Sequence, residues 1–243
     1  MNRDWQQELD ARVAFIREQL RVSGATGVVL GNSGGKDSAL VAILCKRATD
    51  NVKTIILPCG SSRNFGIDRD HALLVARQYG IDTVQVDLTQ LKELFTQALA
   101  PVCTLTQSAS MNINPRLRMI TVYAVAQSLG YLVAGTGNRS EYAMGYFTKW
   151  GDGAYDFNPI SDLTATEVFD FLRFLSAPNE VIDKAPSAGL FEGQTDEKEM
   201  GVTYDAIDTY LTQGAGKPED IAIIERAHAR TAHKRRMPAR YGE

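Results

Sequence analysis

The chain has 243 residues, of which 44% are hydrophobic and 23% charged, and its formal net charge at pH 7 is −3. These values predict a single soluble domain over residues 1–243 with a sizeable core, and the weak acidity argues against a nucleic-acid partner. No apolar run approaches the ~20 residues that a membrane span needs, and the polar N-terminus has no signal-peptide core. Cys45, Cys59 and Cys103 show no C-x-x-C spacing, which favours free thiols in a reducing cytoplasm.

The apolar pattern predicts helices that alternate with strands along the chain. Helices are expected near residues 5–22, 37–48, 72–79, 89–99, 115–129 and 166–175, with a further short helix from residue 202. Gly80 is expected to close the third of these helices. Strands are expected at residues 28–31, 53–57, 83–87 and 131–135.

This alternation is typical of an α/β fold with a doubly wound parallel sheet and helices on both faces, a Rossmann-like architecture. Ligands of such sheets bind at the carboxyl ends of the strands. The segments that follow the first and fourth strands, 31–38 and 136–138, are therefore the first places to look for a site.

The loop after the first strand is the most informative stretch, and it reads Gly31, Asn32, Ser33, Gly34, Gly35, Lys36, Asp37 and Ser38. A glycine turn that leads into a helix N-terminus presents backbone N–H groups and a positive dipole end to an anion. Asp37 would repel a phosphate unless a cation lay between them, which predicts a Mg²⁺ ligand. The loop is not a Walker A motif, because Asp37 stands where Ser or Thr should follow Lys36.

Two polar segments after the fourth strand, 135–141 and 145–156, are rich in glycine and aromatic residues and are expected to carry function. Glu141 could be a second Mg²⁺ ligand, Lys149 could pair with a substrate anion, and Asp156 could accept substrate hydrogen bonds. Taken one at a time, they are better interpreted as a helix N-terminal glutamate, a solvated lysine and a turn aspartate. The basic cluster at 228–236 is either a solvated helix end or an arm that binds anions.

The loop at 33–38 resembles the pyrophosphate loop of the ATP-pyrophosphatase superfamily, and almost the whole chain resembles ammonia-dependent NAD⁺ synthetases. The block Tyr146–Gly153 is close to that family's own signature. The matching stretches are 33–38, 112–119, 135–141, 145–159, 186–190, 194–208 and 233–235. The resemblance implies amidation of deamido-NAD⁺ with ammonia at the expense of ATP, through an adenylated intermediate, giving NAD⁺, AMP and pyrophosphate.

The resemblance also implies a role for individual residues. ATP is expected to contact Thr136, Ser187 and the loop from Gly31 to Ser38, and Mg²⁺ is expected to bind Asp37 and Glu141. The residues expected to contact deamido-NAD⁺ are Arg116, Lys149, Asp156, His233 and Lys234. Asp37, Glu141 and Lys149 are the catalytic candidates. A homodimer without membrane or nucleic-acid partners is implied, and 243 residues leave no room for the amidase domain of glutamine-using relatives.

The chain departs from the family pattern at two positions. Ala165 stands where the family has a lysine that reaches ATP, so another cation, for which Lys36 is a candidate, would have to replace it. Gly189 replaces a family aspartate.

Two other readings remain open on the sequence. Another pyrophosphate-loop enzyme that amidates or thiolates its substrate is one, although thiolation would favour a C-x-x-C motif and a basic surface for RNA. A non-catalytic adenine-nucleotide sensor is the other. Ala165 favours the sensor, whereas Asp37, Glu141 and Lys149 oppose it.

Overall fold

A computed structural model describes residues 3–60, 65–183 and 196–242 of the chain. The described strands are β1 (Gly27–Gly31), β2 (Val52–Ile56), β3 (Asp82–Gln85) and β4 (Tyr131–Val133). The described helices up to β4 are α1 (Trp5–Ser23), α2 (Lys36–Ala48), α3 (Ile67–Tyr79), α4 (Thr89–Leu99) and α5 (Gln107–Leu129). After β4 follow α6 (Arg139–Met144), α7 (Ala165–Phe174), α8 (Asn179–Ile182), α9 (Asp196–Met200), α10 (Tyr204–Gln213), α11 (Pro218–Arg230) and a 3₁₀ helix (Ala232–Lys234).

The four strands form one parallel sheet in the order β3-β2-β1-β4. Val28 of β1 is paired with Val52 on one side and with Leu132 on the other, so β1 and β4 are neighbours although they are far apart in sequence. The predicted α/β parallel sheet is confirmed. Gly80 closes α3 with a φ of 63°, as expected for a residue in the left-handed conformation.

Helices cover both faces of the sheet, and the alternation of side chains along β1 shows this directly. Val28 and Leu30 are buried in a cluster that includes residues of α1, α2 and α7, whereas Val29 is buried in a second cluster with residues of α5. Successive side chains of a strand point to opposite faces, so a strand covered on both faces reads as a continuous apolar run. This is why β1 shows no polar alternation.

A third, smaller apolar cluster lies beside the sheet and joins α6 and α7 to the C-terminal helices. Its buried members are Met144, Ala165, Val202, Tyr204, Ile207 and Ile224. The cluster brings α10 next to the carboxyl edge of the sheet.

The long helix before β4 begins earlier than predicted, at Gln107 rather than near Pro115. Proline is unfavourable inside a helix because it lacks the N–H of the backbone ladder. Pro115 was therefore predicted to stand at the start of this helix. Tertiary contacts retain the earlier turns: Ile113 and Asn114 are buried, and the Asn112 side chain accepts a hydrogen bond from Thr148 at 2.5 Å. No bounds were predicted for the short α6 or the C-terminal α11, although a helix start at Glu141 and a helix end at 228–236 were among the interpretations left open.

Candidate active site

The site lies where two loops meet at the carboxyl edge of the sheet, one after β1 and one after β4. The Asn138 side-chain amide donates a hydrogen bond to Asp37 Oδ1 at 3.0 Å. This contact joins residues 101 positions apart in the sequence. It follows from the pairing of β1 with β4, which places their carboxyl ends side by side.

The glycine loop folds back on itself before α2 begins. The Asn32 backbone N–H donates to the Ile55 carbonyl at 2.8 Å, and the Asn32 side-chain oxygen accepts from the Gly34 N–H at 3.1 Å. The Ser33 and Ser38 hydroxyls are hydrogen bonded at 3.1 Å. The loop therefore brings both hydroxyls and the positive end of the α2 dipole to one place, which suits a phosphate group.

Asn138 and Glu141 form a reciprocal cap at the start of α6. The Asn138 N–H donates to Glu141 Oε2 at 3.0 Å, and the Glu141 N–H donates to the Asn138 side-chain oxygen at 3.0 Å. Glu141 is thus a helix N-terminal glutamate, and it also faces Asp37. Burial raises the pKa of Glu141 well above its usual value, and the charge of Asp37 raises it further, whereas Lys36 opposes the shift.

Lys36 points into the protein rather than towards solvent. Only 6% of it is exposed, and its Nζ lies 2.6 Å from Asp37 Oδ2. The same atom lies 5.4 Å from the centre of the Tyr204 ring and 5.6 Å from that of Phe169. Burial lowers the pKa of Lys36, but the carboxylates of Asp37 and Glu141 outweigh it and leave the pKa raised.

Asp37 and Glu141 are suitable ligands for a divalent cation. Mg²⁺ bound to phosphates usually takes only one or two protein carboxylates and completes its shell with water and phosphate oxygens. Across residues 3–60, 65–183 and 196–242, no group of three His, Cys, Asp or Glu side chains could hold a metal by itself. The donor set therefore fits a cation that is shared with a nucleotide.

A cavity of about 380 Å³ opens beside this carboxylate pair, and Glu141 forms part of its wall. Lys149 and Lys234, both predicted to bind substrate, also line it. Five aromatic side chains complete much of the wall: Tyr123, Tyr142, Phe147, Trp150 and Tyr155. Cations and aromatic rings together suit a ligand that carries both phosphate and a heteroaromatic ring.

The two lysines are held by backbone carbonyls. Lys234 Nζ donates to the carbonyls of Gly145 at 2.8 Å and Phe147 at 2.7 Å, and burial lowers the pKa of Lys234. Lys149 Nζ donates to the His233 carbonyl at 2.8 Å. The C-terminal 3₁₀ helix is thereby fastened to the segment 145–150, so the basic cluster packs against the cavity instead of forming a solvated end.

The other predicted substrate residues flank the cavity without lining it. Arg116 donates to the Lys149 carbonyl at 3.4 Å, and His233 takes part through its own carbonyl. Asp156 accepts from the Val133 N–H at 2.7 Å and from the Tyr123 hydroxyl at 3.2 Å, which fixes the end of β4. Thr136 lies between β4 and α6, next to Gly137 of the cavity wall. Ser187 lies outside the described residues.

Sequence reasoning missed three contributions to the site. Asn138 links the two carboxylates, and its signal was available, since Asn followed by Glu three residues later is a capping pattern. Tyr204 covers Lys36 and donates to Asp196 at 3.1 Å, contacts that come from distant segments and leave no local signal. Arg235 lines the cavity and lies 5.9 Å from the centre of the Tyr142 ring.

A parallel α/β sheet with a glycine loop and a carboxylate pair at its carboxyl edge defines a nucleotide-binding protein of the pyrophosphate-loop class. A family profile for NAD synthase matches residues 8–238. The chain belongs to the NAD synthase family, and it is an enzyme of the kind that forms NAD⁺ with ammonia.

Individual relatives agree with this assignment. The NH₃-dependent NAD⁺ synthetase of Carboxydothermus hydrogenoformans is 44% identical over 241 residues, covering 98% of both chains. Among solved structures, NMN synthetase from Francisella tularensis has a TM-score of 0.94 at 33% identity and covers 100% of both chains. NH₃-dependent NAD synthetase from Campylobacter jejuni has a TM-score of 0.81 at 30% identity, covering 98% of this chain and 99% of that one.

Proposed function

We propose that this chain amidates the nicotinate carboxylate of deamido-NAD⁺ with free ammonia, using Mg-ATP. The observation that carries the proposal is the position of Glu141, which faces Asp37 of the glycine loop and also lines the aromatic and cationic cavity. An acceptor in that cavity would lie beside the phosphates of ATP. The sensor and the thiolating enzyme are not favoured, because the chain's full-length relatives are NAD⁺ synthetases.

The chemistry divides into two displacements. The nicotinate oxygen attacks the α-phosphorus of ATP, the bond to the bridging oxygen breaks, and pyrophosphate leaves. Ammonia then attacks the carbonyl carbon of the acyl-adenylate, AMP departs with the C–O electron pair, and one proton is released. A carboxylate is a poor acyl electrophile, so conversion into a mixed anhydride is what ATP supplies.

The residues of the loop and its neighbours have the following roles in the proposal. The backbone from Gly31 to Ser38 and the Thr136 hydroxyl hold the ATP phosphates, and Ser187 is a further ATP contact. Asp37 and Glu141 would hold Mg²⁺, which when bound would offset negative charge on the phosphates. Asn138 positions both carboxylates through the hydrogen bonds already described.

The acceptor occupies the cavity. Lys149 and Lys234 pair with its phosphate groups, whereas Arg116, His233 and Asp156 flank the cavity and bind the parts of the acceptor that extend beyond it. The aromatic wall stacks against the pyridinium ring, which carries a positive charge that aromatic faces attract.

We further propose a cytoplasmic homodimer in which residues 1–243 act as one synthetase domain. In the part of the chain that the structure describes, no helix is both long and apolar enough to cross a membrane. The three cysteines are free thiols, as in reducing compartments. Helix α4 supports the dimer: none of its residues is buried, and Leu91, Leu94 and Phe95 are exposed.

The test is NAD⁺ formation from deamido-NAD⁺ and Mg-ATP with ammonium or glutamine as nitrogen source. We expect NAD⁺, AMP and pyrophosphate in equal amounts with ammonium and none with glutamine. Asp37→Ala should lower kcat by at least ~100-fold, since it removes a group that acts on developing charge. If the protein bound ATP but formed no NAD⁺, AMP or pyrophosphate, the proposal would be wrong and a non-catalytic nucleotide sensor would be favoured.

A second acceptor is supported by two observations. NMN synthetase from Francisella tularensis, as its name says, makes the mononucleotide, and its TM-score of 0.94 exceeds the 0.81 of the Campylobacter enzyme. The cavity of about 380 Å³ also lies at the small end of the ~300–1,000 Å³ usual for ligand sites. The same reaction on nicotinate mononucleotide is therefore the second candidate. Comparing kcat/KM for the two acceptors in one preparation decides between them.

A further inference from the structure

We propose that Lys36 is a built-in counter-cation that keeps the Mg²⁺ site closed to free metal until a nucleotide binds. The inference rests on the proposed function, which places Mg²⁺ on Asp37 and Glu141. It assigns Lys36 a task other than replacing a missing ATP contact. Lys36 is a positioning residue in this role, since it acts through the two carboxylates.

The first support is the immediate surroundings of the ammonium group. Lys36 Nζ is paired with Asp37 Oδ2 at 2.6 Å, while Asp37 Oδ1 accepts from the Asn138 amide at 3.0 Å. Both oxygens of this carboxylate are therefore engaged. Glu141 and Asp196 also face Lys36 closely enough to act on its charge. A metal ion that approaches Asp37 has to displace or share with the ammonium group.

The second support is that Lys36 cannot simply move into water. The side chain is buried, and its Nζ lies 5.4 Å from the centre of the Tyr204 ring and 5.6 Å from the centre of the Phe169 ring. Aromatic faces attract a cation and stabilise it in a site with little water. Removing one partner of such a buried pair leaves an uncompensated charge, which is strongly unfavourable. The fold therefore supplies a fixed positive charge at the position where a divalent cation is needed during the reaction.

The consequence concerns the order in which metal and nucleotide bind. A free Mg²⁺ ion would be bound by two carboxylates, but the positive charge of Lys36 would offset part of their negative charge. A nucleotide brings phosphate oxygens that complete the metal's coordination, so metal and ATP enter together. The resting enzyme would thus hold its carboxylates in place without a bound metal.

The experiment measures Mn²⁺ binding by electron paramagnetic resonance in the absence of nucleotide, for wild type and for Lys36→Met. The variant should bind Mn²⁺ at least ~10-fold more tightly than wild type, because a unit charge within a few ångströms has been removed from the site. Its melting temperature should also rise more on addition of Mn²⁺. Lys46→Met is the matched control, since Lys46 lies on the same helix and pairs with the exposed Asp50 at 2.8 Å.

Several results would overturn the inference. One is unchanged Mn²⁺ affinity in Lys36→Met, and another is tight Mn²⁺ binding by nucleotide-free wild type. If Lys36→Met does not fold, Lys36→Gln carries the same expectation. If neither Lys36 variant folds even with saturating Mn²⁺, the inference is also wrong, because bound Mn²⁺ should replace the positive charge that the substitution removes. NAD⁺ formation by wild type is scored separately, so a failed synthetase assay and a failed metal measurement remain distinct.

Discussion

Gly34 shows how a single residue limits what the glycine loop can contain. Its φ is 67°, and a Cβ there would lie 1.9 Å from the Asp68 carbonyl oxygen. Both the backbone conformation and the close approach of α3 therefore require glycine. The sequence predicted a need for close approach to an anion, whereas the structure adds a close approach to the protein's own backbone.

We expect Gly34→Ala to lower the free energy of unfolding by about 2–4 kcal/mol, through strain and a forced shift of α3. Gly24→Ala is the control, since Gly24 has a φ of 71° but a Cβ there would meet nothing within 4 Å. That change should cost only about 1–2 kcal/mol. Urea unfolding of both variants measures the difference. Equal losses would mean that Asp68 moves aside freely.

At the level of residues, the site was predictable as far as chemistry follows from residue type. Asp37 was predicted as a Mg²⁺ ligand because a carboxylate beside a phosphate loop needs a cation, and Lys149 was predicted to pair with a substrate anion because of its charge. Lys234 was predicted only from the family resemblance, and all three roles stay predictions. The inward turn of Lys36 was not predictable, since it depends on Tyr204 and Phe169 from other helices. Local sequence carries no trace of such contacts.

Among the elements, α1 is fastened to the turn before α7 by a network of charged side chains. Arg12 donates to both carboxylate oxygens of Asp162, at 2.7 and 2.9 Å, and to the Pro159 carbonyl at 2.5 Å. The neighbouring Asn158 donates to the Gly137 carbonyl at 2.8 Å. The network therefore supports the loop that carries Asn138, although α1 itself lies away from the site.

This network makes stability depend on pH in a defined direction. Burial raises the pKa of Asp162, but the hydrogen bond and charge of Arg12 outweigh it and leave the pKa lowered. A lowered carboxyl pKa stabilises the fold above the unfolded value of ~3.9, and this contribution is lost as pH falls through the folded-state pKa.

We expect Arg12→Met to cost about 1–3 kcal/mol of unfolding free energy at pH 7, with the gap from wild type shrinking below about pH 4. Arg21→Met is the control on the same helix, because the pair of Arg21 with Glu18 is exposed. That change should leave the free energy of unfolding almost unchanged, because solvent screens an exposed pair. Urea unfolding at pH 7 and pH 3 checks both, and a gap that is undiminished at pH 3 would count against Asp162 as the partner that matters.

The elements themselves were predicted well where their apolar pattern is strong. All four strands and the helices α1 to α4 follow from runs and periodicity in the sequence. The start of α5 was wrong because contacts from Thr148 and the core outweigh the cost of an internal proline. Helix α6 escaped notice because six residues contain less than two turns of periodic pattern.

At the scale of the whole molecule, the side that carries α4 and α5, which contact each other, exposes several large apolar residues. Leu94 is 56% exposed on α4, and Ile120 is 67% exposed on the adjoining α5. Val84 of the edge strand β3 is exposed as well. Exposed apolar residues on neighbouring elements mark interaction surfaces, and this side is where we expect the second subunit.

We expect Leu94→Asp to prevent formation of the proposed dimer, because it would bury a charge within that surface. Val22→Asp is the control, since Val22 is 68% exposed on α1, which packs on the opposite face of the sheet from α5. Sedimentation velocity measures both. A Leu94→Asp variant that remains dimeric would place the interface elsewhere, and a monomeric wild type would exclude the dimer.

The bond between Asn138 and Asp37 also has a consequence for synthesis of the chain. It spans 101 residues, and β4 is the last strand of the described sheet to emerge from the ribosome. Contacts this distant form late, because the intervening chain must first be closed into a loop. A nascent chain that ends before β4 would display its glycine loop without the partner loop that completes it. The carboxylates of Asp37 and Glu141 can therefore come together only after β4 and the start of the following helix have been made.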